Sequence, residues 1–199
     1  MSIALIDTGC ANLASVRFAL ERLGEPCLVV KTPEETKSCE RLILPGVGAA
    51  KPAMDSLDAA GWVDFLRKES RLLLGICLGM QLLFERSEEG DVEGLGLIPG
   101  EVSRLPRSSN QIWPHMGWNA LDNIKADEPL LAGIAPDSHV YFVHGYAAPV
   151  GNFTQATSQF NQSFSALVRN DNITGCQFHP ERSGSVGARI LANFIRAKS

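Results

Sequence analysis

An excess of positive charge is missing from this sequence, and so is any long apolar run. Lysine and arginine together number 18 against 22 aspartates and glutamates, which leaves a formal charge of −4 and a pI near 5.6. Non-specific binding to nucleic acid rests on clustered cations, so a phosphate backbone is excluded as the main partner. The start, "MSIALIDTGC", has no basic segment leading into an apolar one, and no stretch reaches the roughly 18 apolar residues of a membrane span. A cytoplasmic protein with no membrane partner is expected. Cysteine is sparse and odd in number: Cys10, Cys27, Cys39, Cys77 and Cys176, with no CxxC pair. That fits neither a disulfide framework nor a common zinc site, and reads as five thiols in a reducing compartment. The four histidines form no HExxH or similar spacing, so neither a metal nor another cofactor is expected.

What is present is alternation. The 199 residues, 45% of them hydrophobic, suffice for one packed domain spanning 1–199. "SIALID", "CLVV", "RLILPG" and "RLLLGI" are short apolar runs. Between them lie "NLASVRFALERLG" with a stop at Gly24, a "TPEE" helix start with Thr32 as cap and Pro33 in the first turn, and a helical stretch from about Pro52 to Lys68. Near-continuous apolar strands separated by helices predict an α/β fold with a mostly parallel central sheet flanked by helices. From "SEEGDVEGLG" through "SFSALVRNDNITGC" the helical period disappears, and an antiparallel or mixed extension of the sheet is expected there. The C-terminal "SGSVGARILANFIRAKS" returns to helical spacing at Val186, Ile190, Leu191, Phe194 and Ile195.

The chemistry concentrates at "RLLLGICLGMQLLFE", residues 71–85, where a strand-like run turns into an amphipathic helix with Cys77 at the join. "GICLG" has the form of a nucleophile elbow with sulfur in place of a hydroxyl. Backbone N–H groups at a helix start favour a thiolate, and Leu78 N–H is the first candidate to hold an oxyanion. Gln81, four residues on, lies on the same helix face and can meet the polar end of a substrate. For Cys77 alone, a buried apolar role competes evenly.

A second segment shifts the balance. In "GCQFHPERSG", Pro180 forces His179 toward extended backbone, where residues i and i+2 point the same way, so His179 and Glu181 are expected side by side. A carboxylate beside an imidazole fixes its tautomer and stabilises its charged form, the supporting role in a catalytic triad. His139 and His144, flanking "VYFV", read as solvated or satisfied strand-end residues.

Three blocks in order, "LPGVGA", "GICLGMQLLFE" and "CQFHPE", resemble the class I (triad-type) glutamine amidotransferases over nearly the whole chain. The resemblance implies a flavodoxin-like fold, L-glutamine as substrate, Cys77 as nucleophile, His179 as general base and acid, and Glu181 as its orienting group. It adds backbone amides of Val47 and Gly48 beside Leu78 for the oxyanion, and Glu89 for the α-ammonium of glutamine. Between Gly46 and Gly48 the Val47 peptide is free to rotate, a place where activity could be gated.

Further blocks, "GCANLASVRFALERLG", "PHMGWN" and "YFVHGY", resemble the branch of the family that passes ammonia to a separate cyclase subunit in histidine biosynthesis. Asn12, His115, Trp118 and Arg182 would then lie near the mouth facing that partner. Helix capping for Asn12 and core packing for Trp118 are the competing readings. The chain departs from the family at Thr8 and Ala11, at Arg182 in place of a lysine, and at Gly145. The last stands where a hydroxyl residue is usual, beside the expected site for the α-carboxylate of the substrate. A glutaminase for another synthase, or an inactive subunit that keeps the fold, are the alternatives; "PHMGWN" speaks against the first and the intact triad residues against the second.

Overall fold

The computed structural model describes residues 2–9, 12–107 and 113–197, so Cys10 and the departure at Ala11 lie outside the described residues. The first half alternates as expected: β1 (Ile3–Ile6), α1 (Leu13–Arg22), β2 (Cys27–Val30), β3 (Arg41–Gly46), α2 (Ala50–Ala59), α3 (Trp62–Leu66) and β4 (Leu72–Cys77). The expected long helix is two, because Gly61 turns the chain at φ +75° between α2 and α3. The "TPEE" segment is only a 3-10 turn, Pro33–Thr36, in which the Thr32 side chain makes no capping bond.

After Cys77 the expected amphipathic helix shrinks to one turn, α4 (Leu78–Gln81), followed by β5 (Phe84–Ser87). The apolar residues that suggested a helix face are buried on all sides instead: Leu82, Leu83 and Phe84 are 0–2% exposed. The chain continues through β6 (Val92–Glu93), β7 (Ile98–Arg104), β8 (His115–Ala120), β9 (His139–His144), β10 (Tyr146–Ala147), β11 (Thr154–Phe160), β12 (Gln162–Asn170) and β13 (Ile173–Cys176), and ends in α5 (Gly184–Arg196).

One seven-stranded sheet runs β11-β12-β13-β4-β3-β1-β2. Its five strands from β13 to β2 are parallel, while β11 and β12 form an antiparallel hairpin at one edge. The mixed extension is therefore only partly an extension. β10, β7, β5 and β6 form a separate four-stranded sheet, and β8 and β9 a separate antiparallel pair. Alternation along the central strands sends Leu72, Leu74 and Ile76 into one core, with Phe142, Phe164, Ile190 and Phe194, and Leu73 into the other, with Met54, Leu57, Trp62 and Phe84. Burial on both faces favours apolar side chains, which is why β1, β3 and β4 read as near-continuous apolar runs. No helix among the described residues is long and apolar enough to cross a membrane.

Parallel pairing sets the position of the site. Gly46 of β3 lies beside Cys77 of β4, and Ile76 beside Cys176 of β13. Three strands thus release their chains at one end of the sheet, the end at which open α/β folds place their ligands.

Candidate active site

Cys77 sits at that end with φ +54° and ψ −110°, a backbone conformation that a side chain tolerates only when its surroundings hold it. The hold comes from close approach of backbone to backbone. A Cβ at Gly79 would stand 1.8 Å from the Leu44 carbonyl oxygen, and one at Gly75 2.8 Å from the Met80 nitrogen. α4 therefore rests directly on β3 and β4, and the glycines on either side of Cys77 permit it. The support for Cys77 is this contact rather than a long helix: with one turn of helix, α4 supplies little dipole.

His179 arrives from β13. Its N–H donates to the Tyr141 carbonyl at 2.9 Å, and the Ser183 hydroxyl donates to the His179 carbonyl at 2.6 Å while accepting from Tyr141 N–H at 2.9 Å. The histidine is extended, as the following proline requires, but Pro180–Arg182 is a 3-10 turn. Glu181 thus meets His179 by curling back over one turn, not by the strand periodicity expected. Its Oε1 lies 2.8 Å from His179 Nδ1, and the two side chains are 3% and 10% exposed. With Nδ1 committed to the carboxylate, Nε2 is the nitrogen left for the Cys77 sulfur. Burial pushes the imidazolium pKa down, but hydrogen bonds to Cys77 and Glu181 and their negative charge outweigh it, and the pKa rises to about 10. This pair favours imidazolium beside the sulfur, the charge state that supports a nucleophile.

A cavity of about 200 Å³ opens over the sulfur, lined among others by Val47, Gly48, Leu78, Gln81, Glu89, Gly145 and His179. Every residue expected to bind the substrate or the oxyanion therefore borders one space, with Gly48 at φ +98°. Gln81 is 5% exposed, and both protons of its amide are committed, to Tyr146 O at 2.8 Å and to Gln177 Oε1 at 2.9 Å. Only its carbonyl oxygen is left to meet a ligand. Glu89 accepts from Ala50 N–H at 3.0 Å; burial raises its pKa, against the lowering effect of that bond. A wider cleft of about 430 Å³ lies near the start of β4, lined by Leu72, Leu130, Arg169 and Arg196 among others, away from these groups.

At Gly145 a Cβ would stand 2.5 Å from the Trp113 ring, which is itself held under Arg104 and Arg107 at 4.7 and 4.5 Å. The indole fills the space in which a hydroxyl side chain would begin. Trp113 and Gly145 form one packing solution.

The four residues expected at a partner-facing mouth divide. Asn12 is exposed and caps α1, accepting from Ser15 N–H at 3.3 Å. Trp118 is 56% exposed, edge-on to Tyr141 at 6.0 Å, and the Arg182 guanidinium lies 5.3 Å over the same tyrosine. Met116, two residues before Trp118 on β8, is exposed as well, and so is Val47 just beyond β3. His115 does not belong to this surface: at 5% exposure it stacks on Phe142 and Phe160, because alternation along β8 turns it inward where Met116 and Trp118 turn outward.

Two residues at the site were not read as functional from the sequence: Gln177 was not singled out, and His144 was read as a solvated or satisfied strand-end residue. Gln177 is fully buried with its amide nitrogen 3.8 Å from Cys77 Sγ, and His144 lines the cavity. The period of two that was applied to His179 and Glu181 holds instead for Gln177 and His179, and applied backwards it would have found the glutamine.

Residues 4–197 match the family model described as glutamine amidotransferase class-I. The chain is 53% identical over 193 residues to the imidazole glycerol phosphate synthase subunit HisH of Xanthomonas axonopodis pv. citri (strain 306), covering 97% of this chain and 96% of that one. Against the subunit of the same name from Vibrio cholerae serotype O1 (strain ATCC 39315 / El Tor Inaba N16961) identity is 45% over 200 residues, with 98% of each chain covered. Among solved structures, a glutamine amidotransferase superposes with a TM-score of 0.74 at 20% identity over 97% of this chain and 96% of that one. The structure of PurLQS from Thermotoga maritima gives 0.72 at 18% identity, over 98% and 97%. At such identities these two structures speak for the fold.

Proposed function

Because this chain belongs to the class-I glutamine amidotransferase family, we propose that Cys77, His179 and Glu181 carry out its glutaminase reaction as the ammonia-supplying subunit of an imidazole glycerol phosphate synthase. The single observation that carries the assignment is the convergence of the three side chains: a strained Cys77 and a buried His179 line one cavity, and the Nδ1 of that histidine is held by Glu181 at 2.8 Å.

The Cys77 thiolate attacks the side-chain amide carbon of L-glutamine, and the negative charge moves to the carbonyl oxygen. Leu78 N–H, with an amide of the Val47–Gly48 stretch, faces that oxygen. As the C–N bond breaks, the imidazolium of His179 gives its proton to the departing nitrogen, which leaves as ammonia, and a thioester remains on the sulfur. Neutral His179 then takes a proton from water, the hydroxide equivalent attacks the thioester carbon, and glutamate leaves as Cys77 returns to its thiolate. Glu181 stays ionised throughout and holds the ring so that Nε2 meets both sulfur and substrate.

Free ammonia becomes ammonium in neutral water and loses its nucleophilicity, so the product has to be handed to a synthase directly. The near full-length match to HisH chains and the exposed Trp118 and Arg182 packed on half-buried Tyr141 favour, as the recipient, a separate cyclase subunit. The test is to follow glutamine-dependent formation of imidazole glycerol phosphate when the chain is mixed with a purified cyclase subunit. Cys77→Ala is expected to abolish it while leaving synthesis from added ammonium salt intact. Glutamine-dependent turnover by that variant would refute the nucleophile, and failure of wild type to support any cyclase would refute the partner.

A further inference from the structure

Between the Cys77 sulfur and the outer strand β8 runs a set of polar contacts that the triad does not use. Their directions follow from chemistry, because a peptide carbonyl can only accept. At the Tyr146 carbonyl, His144 Nδ1 (2.7 Å) and Gln81 Nε2 (2.8 Å) must therefore both donate. His144 Nε2 is then the bare nitrogen of a neutral ring, so His115 Nδ1, 3.0 Å away, donates to it. His115 Nε2 is left as acceptor for the Asn119 amide at 3.3 Å, whose other proton goes to Gln159 O at 2.9 Å. On the other arm, Gln81 donates its second proton to Gln177 Oε1 at 2.9 Å. This turns the Gln177 amide nitrogen toward Cys77 Sγ at 3.8 Å.

We propose that His115, His144 and Gln177 are positioning residues for glutamine hydrolysis, a directed hydrogen-bond chain anchored at the Tyr146 carbonyl that fixes the Gln81 amide and supplies a donor to the Cys77 sulfur. Each atom of the chain has one role only. Rotation of the Gln81 amide by half a turn would bring its oxygen against the Tyr146 carbonyl and the Gln177 oxygen, so the chain holds that oxygen where it can meet a ligand. The same logic makes Gln177 a donor, the polarity that stabilises a thiolate. Burial supports it by keeping both rings neutral: the pKa of His144 falls to about 3 and that of His115 to about 4. The chain also accounts for His115 and Asn119 in "PHMGWN", a block that the triad does not require.

The inference rests on the glutaminase reading, and its test separates the two. Two variants are compared with wild type by steady-state glutamate formation with the cyclase subunit present, and by iodoacetamide alkylation of Cys77 against pH, followed on the peptide that carries it. Gln177→Leu is expected to lower kcat/KM about tenfold or more, the effect of one buried hydrogen bond, and to move the alkylation midpoint to higher pH. His115→Phe keeps the stacking on Phe142 and Phe160 but gives His144 no donor; KM should rise about tenfold with kcat little changed and the alkylation midpoint at its wild-type position.

Wild-type KM and an unmoved midpoint would overturn the proposal. So would a fall in kcat alone, which a purely structural role predicts. Should Gln177→Leu not fold, Gln177→Glu, which still accepts from Gln81 but offers the sulfur no donor, has to show the alkylation shift. A wild type that makes no glutamate with the cyclase, while the Gln177 variant still shifts alkylation, would refute the glutaminase reading and leave the hold on the sulfur standing.

Discussion

Three buried histidines make the stability of this protein depend on pH in two opposite senses. His179 has a folded pKa of about 10, above an unfolded value of about 6.5. Its contribution is complete below the unfolded value and is lost as pH rises through the folded one. His115 and His144, at about 4 and about 3 in the folded state, act in reverse. As pH falls below the unfolded value, the unfolded chain binds protons that the folded one refuses, and stability drops. Urea midpoints should therefore peak at mildly acid to neutral pH. In Glu181→Gln the imidazolium loses its anionic neighbour and the folded pKa of His179 falls, so the alkaline decline should be smaller and end at lower pH, and glutaminase activity should fall sharply with the fold retained. A second prediction at this scale concerns Gly145 and Trp113. Gly145→Ser alone should destabilise by about 1–3 kcal/mol through overpacking. Adding Trp113→Val should recover most of that, a non-additivity that a double-mutant cycle in thermal or urea unfolding would detect.

Among the elements, the short helix α4 matters most, because its contact with β3 and β4 holds Cys77 in its strained conformation. Gly79→Ala would put a methyl group 1.8 Å from the Leu44 carbonyl oxygen, against backbone that cannot yield cheaply. A loss of about 3 kcal/mol or more is expected, at the upper end of overpacking costs, with Cys77 alkylation slowed even in the fraction that folds. Equal stability and reactivity would show that α4 is not the support described. The elements also show what a periodic reading can reach. β1, β3 and β4 were legible as apolar runs because they are buried on both faces. "GMQLLFE" was misread as helical because Leu82, Leu83 and Phe84 are apolar for a different reason: they enter the core where the chain leaves α4 for β5. The pairing of His179 with Glu181 was reached by a periodic argument, whereas the contact is made through a 3-10 turn after His179.

On the scale of the whole molecule, the sheet gathers its chemistry at the carboxyl ends of β3, β4 and β13, and the β8–β9 pair extends from that region with an aromatic outer face. If that face receives the cyclase, Trp118→Ala should weaken the complex by about 2 kcal/mol or more, as truncation of a buried aromatic anchor does. It should leave iodoacetamide alkylation of Cys77 in the isolated chain at the wild-type rate. Titration calorimetry or analytical ultracentrifugation with the purified cyclase would measure the first, and unchanged affinity would move the interface elsewhere.

The sequence by itself determined the class of fold and singled out the three side chains proposed to react. Apolar strands alternating with helices admit few arrangements, and a cysteine between glycines together with a histidine before a proline and a glutamate are features of local chain geometry. Only the tertiary structure decided which way each remaining side chain faces and what it holds. The inward turn of His115 onto Phe160, the exclusion of a side chain at 145 by Trp113, and the approach of Gln177 to the sulfur all join residues far apart along the chain, and no local pattern specifies such contacts.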